Sequence, residues 1–134
     1  GLNVTHDVKE SASYLASFRA GDYDVGIDFT CDFLDEPDVQ LHKFVSSDIS
    51  PANYGHYIDR ELDRLYELQS RETDPEKRRQ LVREFERRVI NEMAYQYHVL
   101  WWYRIIPHSA DLQGYHISPA HHLEPDIEGY WLAQ

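Results

Sequence analysis

Gly21-Asp22-Tyr23-Asp24-Val25-Gly26-Ile27-Asp28-Phe29-Thr30-Cys31-Asp32 is the stretch on which the fold turns. Val25, Ile27, Phe29 and Cys31 alternate with Gly26, Asp28, Thr30 and Asp32, which is the period of two that places successive side chains on opposite faces of a strand. The pattern predicts a strand over 24–32. Upstream, Ser11 to Ala20 reads as a helix with Tyr14, Leu15 and Phe18 on one face, and Gly21 stops it. A strand-helix-strand unit follows from this order, and a right-handed crossover would make its strands a parallel pair. The predicted class is therefore α/β.

Downstream, Asp32 to Asp38 forms an acidic loop in which Pro37 favours an extended preceding residue and Asp38 is placed to cap a short helix through Phe44. Ser46 to Asn53 is loop chemistry. Two helices come next. Asp59 caps one carrying Leu62, Leu65, Tyr66 and Gln69 on one side; Asp74, with Pro75 at its first position, opens a longer one burying Leu81, Val82, Phe85, Val89 and Met93. From Ala94 to Ile106, Tyr95, Tyr97, Val99, Trp101 and Tyr103 alternate with Gln96, His98, Leu100, Trp102 and Arg104, predicting a long strand that Pro107 ends. The remainder reads as extended chain and turns finishing in Ile127 to Leu132.

The 134 residues include 42% apolar residues, three Trp, ten Tyr and five Phe, enough for one modest core. The net charge of −11 argues against phosphate-backbone binding, which needs clustered Lys and Arg, so nucleic acid is not an expected partner. Cys31 is the single cysteine and forms no internal disulfide or thiolate pair. No apolar run approaches the roughly 18 residues that span a bilayer. The chain opens on Gly1 rather than Met, the mark of a processed or truncated chain, so a missing signal peptide carries little weight. The long apolar strand and tail have few companion strands, whereas a stable sheet wants three or more with a covered face. That imbalance predicts a piece of a two-lobed protein.

The order of several blocks resembles the end of the family-5 extracellular solute-binding proteins, the peptide- and nickel-binding components of ABC importers. The blocks are Gly21-Asp22-Tyr23-Asp24, Asp35-Glu36-Pro37, Asn53-Tyr54-Gly55-His56-Tyr57-Ile58-Asp59 before Asp63, Asp74-Pro75-Glu76-Lys77-Arg78, and the aromatic strand followed by Gly114-Tyr115. The resemblance implies that residues 1–134 are one C-terminal lobe fragment of a type II periplasmic-binding-protein-like fold. Residues 1–94 would form the lobe and 95–134 a long aromatic strand returning toward the other lobe. It further implies a periplasmic or extracytoplasmic location, a signal peptide in an absent N-terminal part, a peptide or similar small polar ligand, ABC permease subunits as partners, and no catalysis or cofactor.

Five residues are nominated for the ligand. Asp32 resembles in role the family's loop Asp that holds a peptide's α-amino group, and it falls at the carboxyl end of a predicted strand, where open α/β sheets bind ligands. The loop runs one residue longer before Pro37 than in many peptide binders, so Asp35 competes for that role. Trp102 is favoured over Trp101 as the aromatic facing the cleft. Asn53 falls where the family often has a cleft Asn, and Arg104 is suited to a bidentate fork on a ligand carboxylate. Each has an ordinary alternative in capping, turn chemistry, core packing or an internal ion pair. His116, His121 and His122 lack metal-ligand spacing and read as solvated loop histidines. Two other functions fit less well: a small protein-protein interaction domain using the aromatic strand, and a hydrolase built on Asp28 and Asp32, for which no GxSxG, phosphate loop or CxxC is present.

Overall fold

A computed structural model describes residues 1, 3–29, 36–100, 105–115 and 127–133. Its centre is a pair of helices, α3 (Arg60–Arg71) and α4 (Pro75–Arg87), packed along each other and joined by three residues. Both start where the sequence places them. The Asp59 carboxylate accepts from the backbone N–H groups of Glu61 and Leu62, and the Asp74 carboxylate accepts from those of Glu76 and Lys77. Each cap occupies donors that the first helical turn leaves unpaired. Leu62, Leu65 and Gln69 share one face of α3 and are buried, while Phe85 of α4 and Val89 just beyond it close the opposite side.

Leu41 and Val45 complete this core, brought in by α2 (Pro37–Leu41) and the 3-10 turn His42–Phe44 that continues it. Asp38 is not the cap of α2: the helix begins at Pro37, preceded by Glu36 without a side-chain cap, and Asp38 instead accepts from the Gln69 amide. Pro37 supplies the reason, since its fixed φ suits the first helical position and moves the start two residues earlier.

α4 passes into a π-helical turn, Arg88–Glu92, and ends at Ala94, a non-glycine residue in the left-handed region (φ 51°). The Tyr95 N–H then closes on the Val89 carbonyl at 2.9 Å. Tyr95, expected in a strand, is thereby part of a helix terminus, its ring stacked on Tyr57 at 3.6 Å between centroids. Residues 96–100 and 105 follow as irregular chain with Tyr97, Val99, Leu100 and Ile105 exposed. The expected strand over 94–106 is thus absent from its described part.

The same holds for the strand expected over 24–32. Residues 24–29 form no ladder, and Val25, Ile27 and Phe29 are 84%, 82% and 61% exposed. Period-two patterning directs side chains to two faces but forms a strand only where a neighbour accepts its backbone bonds, and no such neighbour lies beside either segment among the described residues. The expected parallel pair has no counterpart there. The sheet that does form is a short antiparallel ribbon of β1 (Leu112–Gln113) and β2 (Trp131–Leu132), with Leu112 opposite Leu132 and Gln113 opposite Trp131. A 3-10 turn, Ile127–Gly129, precedes β2. Gly114 (φ 74°) lets the two backbones meet: a Cβ there would sit 2.0 Å from the Gly129 carbonyl oxygen.

α1 (Ser11–Ala20) forms as expected and ends at Gly21 (φ 72°). The Gly21 N–H bonds the Phe18 carbonyl and the Asp22 N–H bonds the Ser17 carbonyl, the paired closure that a left-handed glycine allows. No residue of α1 is buried.

Candidate functional site

Of the five nominated residues, Asp32, Asp35, Trp102 and Arg104 lie outside the described residues; so do His116, His121 and His122. Asn53 is described, and its surroundings are the most highly connected polar region among the described residues. The turn from Val45 to Asp59 is tied to the helical pair from both ends. Asn53 is 2% exposed, and its side-chain amide donates to the carbonyls of Val45 (2.8 Å) and Tyr57 (3.2 Å), drawing the two strands of the turn together. Its Oδ1 is buried with no hydrogen-bond partner among the described residues, lying against Gly55, where a Cβ would stand 3.4 Å away.

Ser46 links the turn to α3. Its N–H and hydroxyl donate to the two carboxylate oxygens of Asp63 at 2.8 and 2.7 Å, and its hydroxyl oxygen accepts from the Asp59 N–H at 2.8 Å. Arg60 joins Asp63 to Asp48 outside this layer. Arg60 holds the Asp48 carboxyl below its ordinary value through direct hydrogen bonds.

Asp59 is the hub. Besides capping α3, its carboxylate takes the Arg88 Nε on both oxygens (3.0 and 2.9 Å) and the Tyr95 hydroxyl at 3.3 Å. Burial works to raise its pKa, yet the Arg88 guanidinium and the Leu62 and Glu61 N–H groups stabilise the anion more, so it stands below the usual carboxylate range. The neighbouring Tyr57 phenol is pushed well up, first by burial and then by the negative charge of Tyr95, Asp59 and Asp63 when ionised. Its proton is held, and the hydroxyl donates to the Phe44 carbonyl at 3.0 Å. Neither group is poised to exchange protons near neutrality.

Ser50 and His42 meet at 3.3 Å between Oγ and Nδ1, a pairing that superficially resembles a nucleophile and its base. Ser50 is fully buried and its Oγ also accepts the Ala52 N–H, so the contact braces the turn instead of presenting a hydroxyl to a substrate. A second surface feature is an open groove of about 360 Å³ lined by Pro37, Glu72, Thr73, Pro75, Arg78, Arg79 and Val82. Its arginines are engaged: Arg78 with Glu36, Asp38 and Gln69, and Arg79 with Glu76. Among the described residues no group of three or more His, Cys, Asp or Glu side chains is placed to hold a metal ion.

Sequence reasoning identified Asp59 only as a cap and treated Ser46 as loop chemistry. The Asp59-Arg88-Tyr95 and Ser46-Asp63 links were missed because their partners are 29, 36 and 17 positions apart, beyond any local period. No protein-family model, no curated protein and no solved structure matches this chain.

Proposed function

We propose that this chain is the C-terminal lobe portion of an extracytoplasmic solute-binding protein, type II in fold, that captures a peptide or similar small polar solute and delivers it to an ABC permease. The observation that carries the reading is the pair of exposed apolar segments flanking a small helical core. Val25, Ile27, Phe29, Tyr97, Val99, Leu100 and Ile105 are all exposed, and apolar residues at such spacing need a sheet and a second lobe to cover them. Asp32 and Asp35 follow the first segment directly, and Trp102 and Arg104 lie within the second. Both segments therefore lead to the nominated ligand residues, as a cleft between lobes requires. The blocks of the resemblance also coincide with structural junctions: Gly21-Asp22 closes α1, Asn53 to Asp59 is the braced turn, and Asp74-Pro75 opens α4.

In this reading, binding and hinge closure do the work and no bond is made or broken. Asp32, or Asp35, takes the ligand's ammonium group, Arg104 its carboxylate, and Trp102 covers an apolar face. The same exposed residues favour a second reading, a protein-protein interaction domain that docks through them.

A thermal-shift screen of the longer protein against di-, tri- and oligopeptides, opines, sugars and Ni(II) chelates tests the proposal. A shift of several degrees with one class, lost in Asp32→Ala, is expected. A flat response to every class would favour the interaction domain.

A further inference from the structure

The turn that Asn53 braces is also the place where the N-terminal segment attaches. α1 buries nothing of its own, and its attachment is concentrated at its C-terminal end. The Tyr23 hydroxyl donates to the Tyr54 carbonyl at 2.7 Å, and the His56 Nε2 lies 3.0 Å from the Arg19 carbonyl, one of the acceptors a helix end leaves over. The Phe18 ring meets Tyr54 edge-on at 5.3 Å and stacks on Tyr23 at 4.9 Å. His56 itself holds a left-handed backbone (φ 53°), a conformation that costs a non-glycine residue energy and persists only where its surroundings impose it. Its ring lies against Gly21, where a Cβ would come within 2.8 Å of the His56 Cδ2.

Tyr54 and His56 flank Gly55, and Gly55 lies over Asn53 Oδ1, the buried acceptor without a partner among the described residues. We infer that residues 3–29 act as a strap that holds the Tyr54–His56 turn shut over Asn53, and that releasing the strap opens the turn and uncovers this oxygen to a hydrogen-bond donor. Between Arg19–Tyr23 and the Tyr54–His56 turn the described contacts are two hydrogen bonds, one aromatic contact from Phe18 and one glycine approach, against the extensive packing of α3 on α4. The strap and turn therefore open together as a unit of low stability while the helical pair stays folded.

Residue-resolved amide exchange by NMR on the full chain tests this. The amides of Gly21 and Asp22 in the strap and of Asn53, Tyr54 and His56 in the turn should exchange at similar rates, faster than those of α3 and α4. Gly21→Ala forces a strained φ and crowds His56, and should accelerate strap and turn amides together by about tenfold or more, leaving α3 and α4 unchanged. Tyr23→Phe removes one hydrogen bond without steric change and should act in the same direction by a smaller factor. Acceleration of the strap without the turn would overturn the coupling. Equal acceleration of all four regions would show the strap to be an integral part of the core, and no acceleration in either variant would remove the latch.

Discussion

Asp59 combines a helix cap, an ion pair and a hydroxyl contact on one nearly buried carboxylate. Its anion is stabilised only in the folded chain. Its folded pKa lies below the unfolded value near ~3.9, so the contribution is fully present above that pH and is lost as pH falls through the folded pKa. Asp59→Asn keeps the size and an acceptor for the cap but removes the anion on Arg88 Nε, leaving Arg88, among the described residues, only the 3.5 Å contact with Glu92. The variant should be less stable by about 1–3 kcal/mol at pH 7, measured by urea unfolding, and the two unfolding midpoints should converge as pH drops below about 4. Asn53 behaves differently because its effect is neutral in charge. Asn53→Ala removes the donor to the Val45 and Tyr57 carbonyls and should cost about 1–3 kcal/mol at every pH, read from the same urea curves. Both caps, Asp59 and Asp74, were legible from the sequence, since a cap bonds backbone only two or three residues away. The rest of the Asp59 cluster was not, because Arg88 and Tyr95 reach it through tertiary packing.

At the scale of elements, the helices follow from local chemistry and the strands do not. α3 and α4 each have a cap and an apolar stripe within their own sequence. The segments 24–29 and 96–100 carry the correct alternation, yet a strand is completed by a neighbour that the pattern cannot name. The exit from α4 is a case where local reading failed for an identifiable reason: alternation was extended back to Ala94, whereas the π turn and the Tyr95-Val89 closure continue the helix end through Tyr95. Ala94 meets the demand for a left-handed residue at the expense of a Cβ. Ala94→Gly should relieve roughly 1–2 kcal/mol of strain and lose about 0.5–1 kcal/mol to chain entropy. A net gain of about 0–1.5 kcal/mol is expected, visible as a rise in Tm, with the Tyr57-Tyr95 stack retained.

Across the whole molecule, a compact helical centre spans Leu41 to Tyr95 while apolar chain on either side stays uncovered. The proposed lobe fragment would leave apolar chain of this kind for a second lobe to cover. Val25, Ile27, Tyr97 and Val99 are exposed on these segments, and the proposed second lobe would be what covers them. Ligand choice was not legible, since in the proposed two-lobed protein it would depend on side chains from both lobes. Isothermal titration calorimetry of a defined peptide series, run in parallel on the longer protein and on this chain, tests the central claim most directly. The account predicts saturable binding with a negative heat-capacity change for the longer protein, abolished by Asp32→Ala, and no measurable heat for residues 1–134 alone. Peptide binding of equal affinity by this chain alone, or heat from the longer protein that Asp32→Ala leaves intact, would contradict it.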